Sequence, residues 1–158
     1  MNIFYLHPIS KICALYHCDK HVVKMIVETA QLLSTAHHEH NHPVTYKSTH
    51  INHPSAIWAR SSRLHYSYLV DLGKALCVEY TKRYHKTHAC EHMFYHELAL
   101  PPDELTFSGW TNPPQCMPDE CKHDDTVTAD RRYYRHKQTV MSMKWYQDNA
   151  YAPDWMYV

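Results

Sequence analysis

The sequence predicts an all-α fold, and three features carry that prediction. Only two glycines occur in 158 residues, whereas sheets and hairpins draw on glycine at their turns. Apolar residues recur at helical spacing through two long stretches, about 10–35 and 53–84. The hydrophobic fraction of 44% supplies enough apolar surface for a core. At this length the expected architecture is one compact domain over residues 1–158. It holds two long antiparallel helices, a C-terminal helix and a long proline-rich loop.

Residues 2–6, NIFYL, form a short apolar lead-in that ends at His7-Pro8. Ser10 offers a cap for the helix that follows, which is expected to run to about Thr35. Within it, the segment YHCDKHVVKMIVETAQLLS is apolar almost all the way round. At about 100° per residue, His17, His21, Lys24, Glu28 and Gln31 fall on one line, with Val22, Ile26, Ala30 and Leu33 opposite. A surface helix carries a broad polar face. A narrow stripe between apolar flanks predicts a largely buried helix whose stripe faces a cleft.

Residues 37–52 are polar, rich in histidine and broken by Pro43, which reads as a loop. His53-Pro54 opens the second long helix, expected to reach about Tyr84 with Ile57, Leu64, Tyr68, Leu72 and Leu76 on its core face. Residues 88–99 offer a short third helix. From Leu100 to His123 the chain carries five prolines and Gly109, and a long irregular segment in a small domain is more often functional than idle. Asp124 or Asp125 starts a last helix containing ADRRYYRHKQTVMSMKWY, and the aromatic tail APDWMYV is expected to dock on the body.

Lysine plus arginine and aspartate plus glutamate both total 16, so net charge gives no support to tight non-specific binding of DNA. Sixteen histidines make the charge sensitive to pH between roughly 5 and 7.5. No apolar run is long enough to span a membrane. The start, MNIFYLHP, lacks the basic, apolar and small-residue pattern of a signal peptide, so a cytoplasmic setting with reduced cysteines is expected.

The stripe is the first candidate site. Imidazole, ammonium and carboxylate side by side exchange protons and hold an anion. Its bland counterpart is an exposed strip with i,i+4 pairs such as Lys24–Glu28. His53 either faces the same cleft or simply marks a helix entry with Pro54 at its first position. Arg60 and Arg63 suit phosphate oxygens, as guanidinium forks do, and Lys20 adds a cation beside the stripe. Arg131, Arg132, Arg135 and Lys137 alternate with tyrosines, a pattern that lines nucleic-acid grooves or, equally, an amphipathic helix. Met117-Pro118-Asp119-Glu120 reads as a cap for the last helix, the alternative being two carboxylates at the cleft rim. No cofactor is expected. The alternative is zinc, for which His88, Cys90, His92, Cys116, Cys121 and His123 have the ligand types without the usual spacing, while His17 and His21 have helical ligand spacing. Thirteen tyrosines and four tryptophans leave material for a homodimer interface.

Two segments together carry a resemblance: YHCDKHVVKMIVETAQLL and NHPSAIWARSSRLHYSYLVDLGKALCVEYTKR, preceded by the short lead-in. They resemble the pyrimidine-dimer DNA glycosylases, or endonuclease V-like proteins, of phages and bacteria, over residues 1–35 and 52–84. The resemblance implies a compact all-α protein, a DNA substrate and, by its size, a phage protein in the host cytoplasm. It also implies a lyase mechanism, in which the N-terminal amine attacks sugar C1′ and forms a Schiff base while a carboxylate on the first helix assists. An α-amine with a pKa near 8 is substantially nucleophilic at neutral pH. The amine would belong to Met1, or to Asn2 if Met1 is removed. The carboxylate is Asp19 on resemblance or Glu28 on geometry. His17 and His21 would position or shuttle protons, and the basic residues would hold phosphate. Two other readings stand beside this one: a phage enzyme of the transferase type that modifies thymine bases, and a non-catalytic protein that binds a nucleotide or a partner.

Overall fold

The computed structural model describes residues 2–158. Every regular element among them is helical: α1 (Ser10–Tyr16), α2 (Asp19–His38), α3 (Pro54–Ala59), α4 (Arg63–Tyr84), α5 (Glu91–Tyr95) and α6 (Thr126–Lys137), with short 3₁₀ turns at Asp119–Cys121, Gln147–Asn149 and Asp154–Tyr157. No helix among the described residues is long and apolar enough to cross a membrane.

The two long helices α2 and α4 pack against each other and run antiparallel, as their end contacts show. Arg83 at the end of α4 bonds Asp19 at the start of α2, and Tyr66 near the start of α4 bonds His37 at the end of α2 (2.8 Å). Between these two clasps Val22, Ile26, Ala30 and Leu33 of α2 meet Leu69, Leu72 and Leu76 of α4 in one buried cluster. Thirteen of the twenty residues of α2 are buried, which makes it the central helix rather than a surface one. Ile3, Phe4 and Leu6 of the lead-in are buried in the same cluster. Gly73 admits the ring of Phe94 onto α4, where a methyl group would overlap it.

Each long helix expected from the sequence is in fact two. The first breaks at His17-Cys18, both extended, with neither glycine, proline nor a side-chain cap to announce it. The break is held by partners from elsewhere. All four terminal carbonyls of α1 find donors: Cys13 from His17 Nδ1 (2.7 Å), Ala14 from His17 N, Leu15 from Arg83 Nη2 (3.0 Å) and Tyr16 from Trp145 Nε1 (3.1 Å). At the start of α2, the N–H of Cys18 donates to the Tyr134 hydroxyl and that of Asp19 to the Lys144 carbonyl (2.8 Å each). Helix ends buried without such partners would leave several backbone groups unsatisfied. Ser10 is the first residue of α1 and gives no cap bond.

The second expected helix breaks at Arg60–Ser62, where Ser62 caps α4 through Leu64 N. Of the residues read from the sequence as core, Leu72 and Leu76 are buried and Tyr68 is half-buried, beside His65, Tyr66, Leu69 and Val70, while Ile57 and Leu64, at the two sides of the break, are 47% and 42% exposed. The third helix is confined to Glu91–Tyr95. Asp125 caps α6 by accepting from Thr128 N (2.8 Å), but α6 ends at Lys137, short of Tyr146, to which the expected helix ran. Met117-Pro118-Asp119-Glu120 leads into its own 3₁₀ turn, in which Asp119 pairs with Lys122. The tail docks through Met156, which is buried.

Candidate active site

The side of α2 away from α4 is narrow. Lys20, Val23 and Lys24 are exposed, and Val27, Glu28 and Gln31 are half-buried. Lys24 Nζ lies 3.3 Å from Glu28 Oε1, and the two side chains differ sharply in exposure, 68% against 14%. The ammonium stands at the rim and the carboxylate sits inside it. Facing this turn is the start of α3, which packs on α2. Its N-cap His53 accepts from Ser55 N through Nδ1 (3.1 Å), which leaves the proton on Nε2. Burial lowers the His53 pKa, and the field of Glu28 works the other way.

The lead-in lies on the same stripe. Phe4 stacks on His21, with centroids 4.7 Å apart and planes within 13°. Lys137 Nζ sits 5.6 Å over the Phe4 ring and 5.0 Å over Tyr133. Lys137 and Lys24 both add to the lowering that burial imposes on His21. Asn2 is half-buried two residues ahead of Phe4, and Met1 lies outside the described residues. A carboxylate with little solvent, flanked by ammonium and neutral imidazole, is equipped to move protons beside a bound anion.

The other residues singled out from the sequence have different surroundings. Asp19 is buried: Oδ1 is 3.3 Å from Arg83 Nη1 and Oδ2 accepts from Tyr146 N (2.9 Å). His17 is fully buried; its Nδ1 donates to Cys13 O, its Nε2 has no partner, and desolvation above all holds its pKa down to about 4. His21 bonds the Tyr134 hydroxyl (2.9 Å), and burial lowers its pKa to about 3.

The arginines of α6 hold the backbone. Arg131 Nε donates to Leu6 O (3.0 Å), Arg135 Nη1 to Trp155 O (2.9 Å) and Arg132 Nη1 to Lys122 O (3.4 Å). They fasten the lead-in, the tail and the 3₁₀ turn to α6. Arg63 Nη1 donates to the carbonyls of Pro102 and Leu105 (3.3 Å each). Arg60 Nη1 is buried and makes no hydrogen bond.

Among the described residues no three His, Cys, Asp or Glu side chains gather in a metal-binding group. Cys90 instead meets the Tyr46 hydroxyl, Cys116 the Ser55 hydroxyl, and His88 bonds the backbone of Cys90. All six cysteines are free thiols. Sequence reasoning passed over Arg83 and Tyr134, which hold the α1–α2 break, and Trp110, which packs on Tyr5, Trp58, His65 and Tyr68. A single arginine in TKRY and one tyrosine among several carry no sequence signal of such roles.

No curated protein and no solved structure matches the chain. A family model described as pyrimidine dimer DNA glycosylase matches residues 1–92, a span holding the lead-in, α1 to α4, Lys24, Glu28 and His53. The chain belongs to the pyrimidine dimer DNA glycosylase family.

Proposed function

We propose that this chain excises damaged pyrimidines from DNA by an amine-lyase route in which Glu28 moves the protons. One observation carries the reading. Of the two carboxylates on the first long helix segment, Asp19 is bound to Arg83 and to the backbone of Tyr146, whereas Glu28 lines the stripe between Lys24 and His53.

In this route the lone pair of the chain's terminal amine, on Met1 or Asn2, attacks sugar C1′. The bond from C1′ to the base breaks, its electron pair leaves with the base, and a proton neutralises the base. Opening of the sugar ring then leaves a protonated imine between the amine nitrogen and C1′. The imine acidifies the C2′ proton, and its removal expels the 3′ phosphate. Glu28 is the group assigned to take and return protons in these steps. Lys24 and Lys20, one turn apart on α2, together with Lys137, are assigned to phosphate, and His53 to a neutral donor at the cleft wall. The base has to leave the stack to be reached. We assign His17 and His21 to folding, because burial keeps both neutral.

Borohydride trapping on duplex DNA carrying a thymine dimer or an abasic site tests the proposal, using protein of mass-verified N-terminus. A covalent adduct at the terminal residue, lost in E28Q and retained in D19N, is the expected result. DNA binding without any adduct in the wild type would move the activity to base modification, and absence of both would end the DNA reading.

A further inference from the structure

The segment after α5 is irregular, yet it is tied down residue by residue along α3, in the opposite direction. Thr106 O accepts from Arg63 N (2.9 Å) and Ser108 Oγ donates to Ser61 O (2.6 Å) at one end. In the middle Thr111 O accepts from Trp58 Nε1 (3.1 Å) and Thr111 N donates to His65 Nε2 (2.9 Å). At the far end Cys116 Sγ lies 3.9 Å from Ser55 Oγ, two residues from His53. This strap lies beyond the residues that the family model matches.

The strap holds two rings in water. Phe107 is 77% exposed and Trp110 is 41% exposed, either side of Gly109, whose φ of 89° is a backbone state that glycine adopts without strain. Both are fixed. The Arg63 guanidinium sits 5.3 Å over the Phe107 ring. Trp110 is held by Trp58, His65 and Tyr68 at 5.4–5.6 Å, and its Nε1 donates to Asn112 Oδ1 (3.1 Å). Leaving such apolar area in solvent is unfavourable, and a mobile loop would bury it. Here the strap's own bonds keep the rings outward. Trp110 also lies 6.2 Å from the ring of Tyr5, which links the strap to the lead-in. Arg60 and Arg63 supply positive charge at the α3–α4 corner.

We infer that Phe107 and Trp110 form a stacking platform for unpaired nucleobases of a DNA strand. Rings with neighbouring guanidinium groups suit this ligand, since every base presents a π-face and the linking phosphates are anionic. A paired base inside a duplex cannot reach them, so the platform favours single-stranded or locally opened DNA. The inference rests on the chain acting on DNA, and it gives the strap a role in selecting where the duplex is open.

Fluorescence anisotropy with a 12-nucleotide oligothymidine and a duplex of equal length tests it, on the full chain and on F107A, W110A and W110F. F107A removes a ring that packs on little besides Arg63, and so keeps the test independent of folding. Each alanine variant should weaken single-strand binding about tenfold, with duplex binding nearly unchanged and W110F close to wild type. No effect of either alanine, an equal loss on both DNA forms, or a wild type that ignores the oligothymidine would overturn the inference. Borohydride trapping reads the amine-lyase proposal separately. A protein that traps but binds single strands regardless of both rings loses only the platform; one that binds through the rings but never traps loses only the lyase.

Discussion

Arg83 Nη1 lies 3.3 Å from Asp19 Oδ1 and 2.7 Å from the carbonyl oxygen of His17, so one buried guanidinium fastens the end of α4 to the break between α1 and α2. Its Nε also pairs with Glu79 (3.1 Å), and the Arg83 side chain has no exposure at all. Replacing Asp19 by asparagine keeps the shape and removes the charge. Breaking a buried pair from one side costs about 3–5 kcal/mol; Glu79 still faces Arg83, so the loss should fall at the lower end. Urea denaturation of D19N measures it. A variant as stable as wild type would show that Glu79 and the carbonyls suffice for Arg83.

Glu28 should behave in the opposite way. Its pair with Lys24 reaches into solvent through the lysine, and such a pair contributes about 0–1 kcal/mol. E28Q should therefore unfold at nearly the wild-type urea concentration while turnover on damaged DNA falls about 10²–10⁴-fold, the range for loss of a general acid or base. The pair of variants separates structure from chemistry along one helix. Full turnover in E28Q would remove Glu28 from the proton path.

Three buried groups give the stability a predictable pH profile. Burial lowers His17 to about 4 and His21 to about 3. The unfolded chain then binds more protons than the folded one below about pH 6.5, and stability rises with pH up to that point. Asp130 is shifted the other way, to about 8, by burial that the Tyr5 backbone only partly offsets. Its folded form holds a proton that the unfolded form has lost, so it takes stability away as pH climbs from about 4 to about 8. The two histidines outweigh the aspartate below pH 6.5, and Asp130 outweighs their remaining contribution above it. Unfolding free energies at pH 5, 6.5 and 8 should peak at the middle value, and D130N, which cannot ionise, should flatten the alkaline limb. Stability that keeps rising to pH 8 would contradict the buried neutral carboxyl.

The all-α class and the central place of α2 were legible because periodicity and scarce glycine are local properties of the chain. So was the Pro54 entry with His53 before it, and so was a helix start at Asp124 or Asp125, of which the fold selects Asp125 as the cap. The two breaks were not equally legible. Ser61-Ser62 carried a capping signal that a continuous apolar period masked. His17-Cys18 carried none, because its orphan backbone groups are satisfied by Arg83, Tyr134, Lys144 and Trp145, all more than sixty residues away. The α6 arginines read as phosphate ligands for a similar reason: composition shows a guanidinium, and only the fold shows that a carbonyl already accepts from it. Glu28 stood out by its position on the stripe, while the bonds of Asp19 had to be seen.

Tyr134 makes that long-range dependence measurable. Its hydroxyl accepts from Cys18 N at 2.8 Å and lies 2.9 Å from His21 Nδ1, and its ring packs against Phe4 and Trp145. Phenylalanine keeps the ring contacts and deletes only the oxygen. The N–H of Cys18, just ahead of α2, and the imidazole nitrogen then lose their partner in a site that water does not enter, at a cost of about 1–3 kcal/mol. For a chain of this length that corresponds to a melting temperature lower by roughly 3–10 °C. The neighbouring Y133F serves as control, since Tyr133 contributes its ring to Phe4 and Lys137; it should melt with the wild type. If Y134F melts with it too, Arg83, Lys144 and Trp145 hold the α1–α2 break without the Tyr134 hydroxyl.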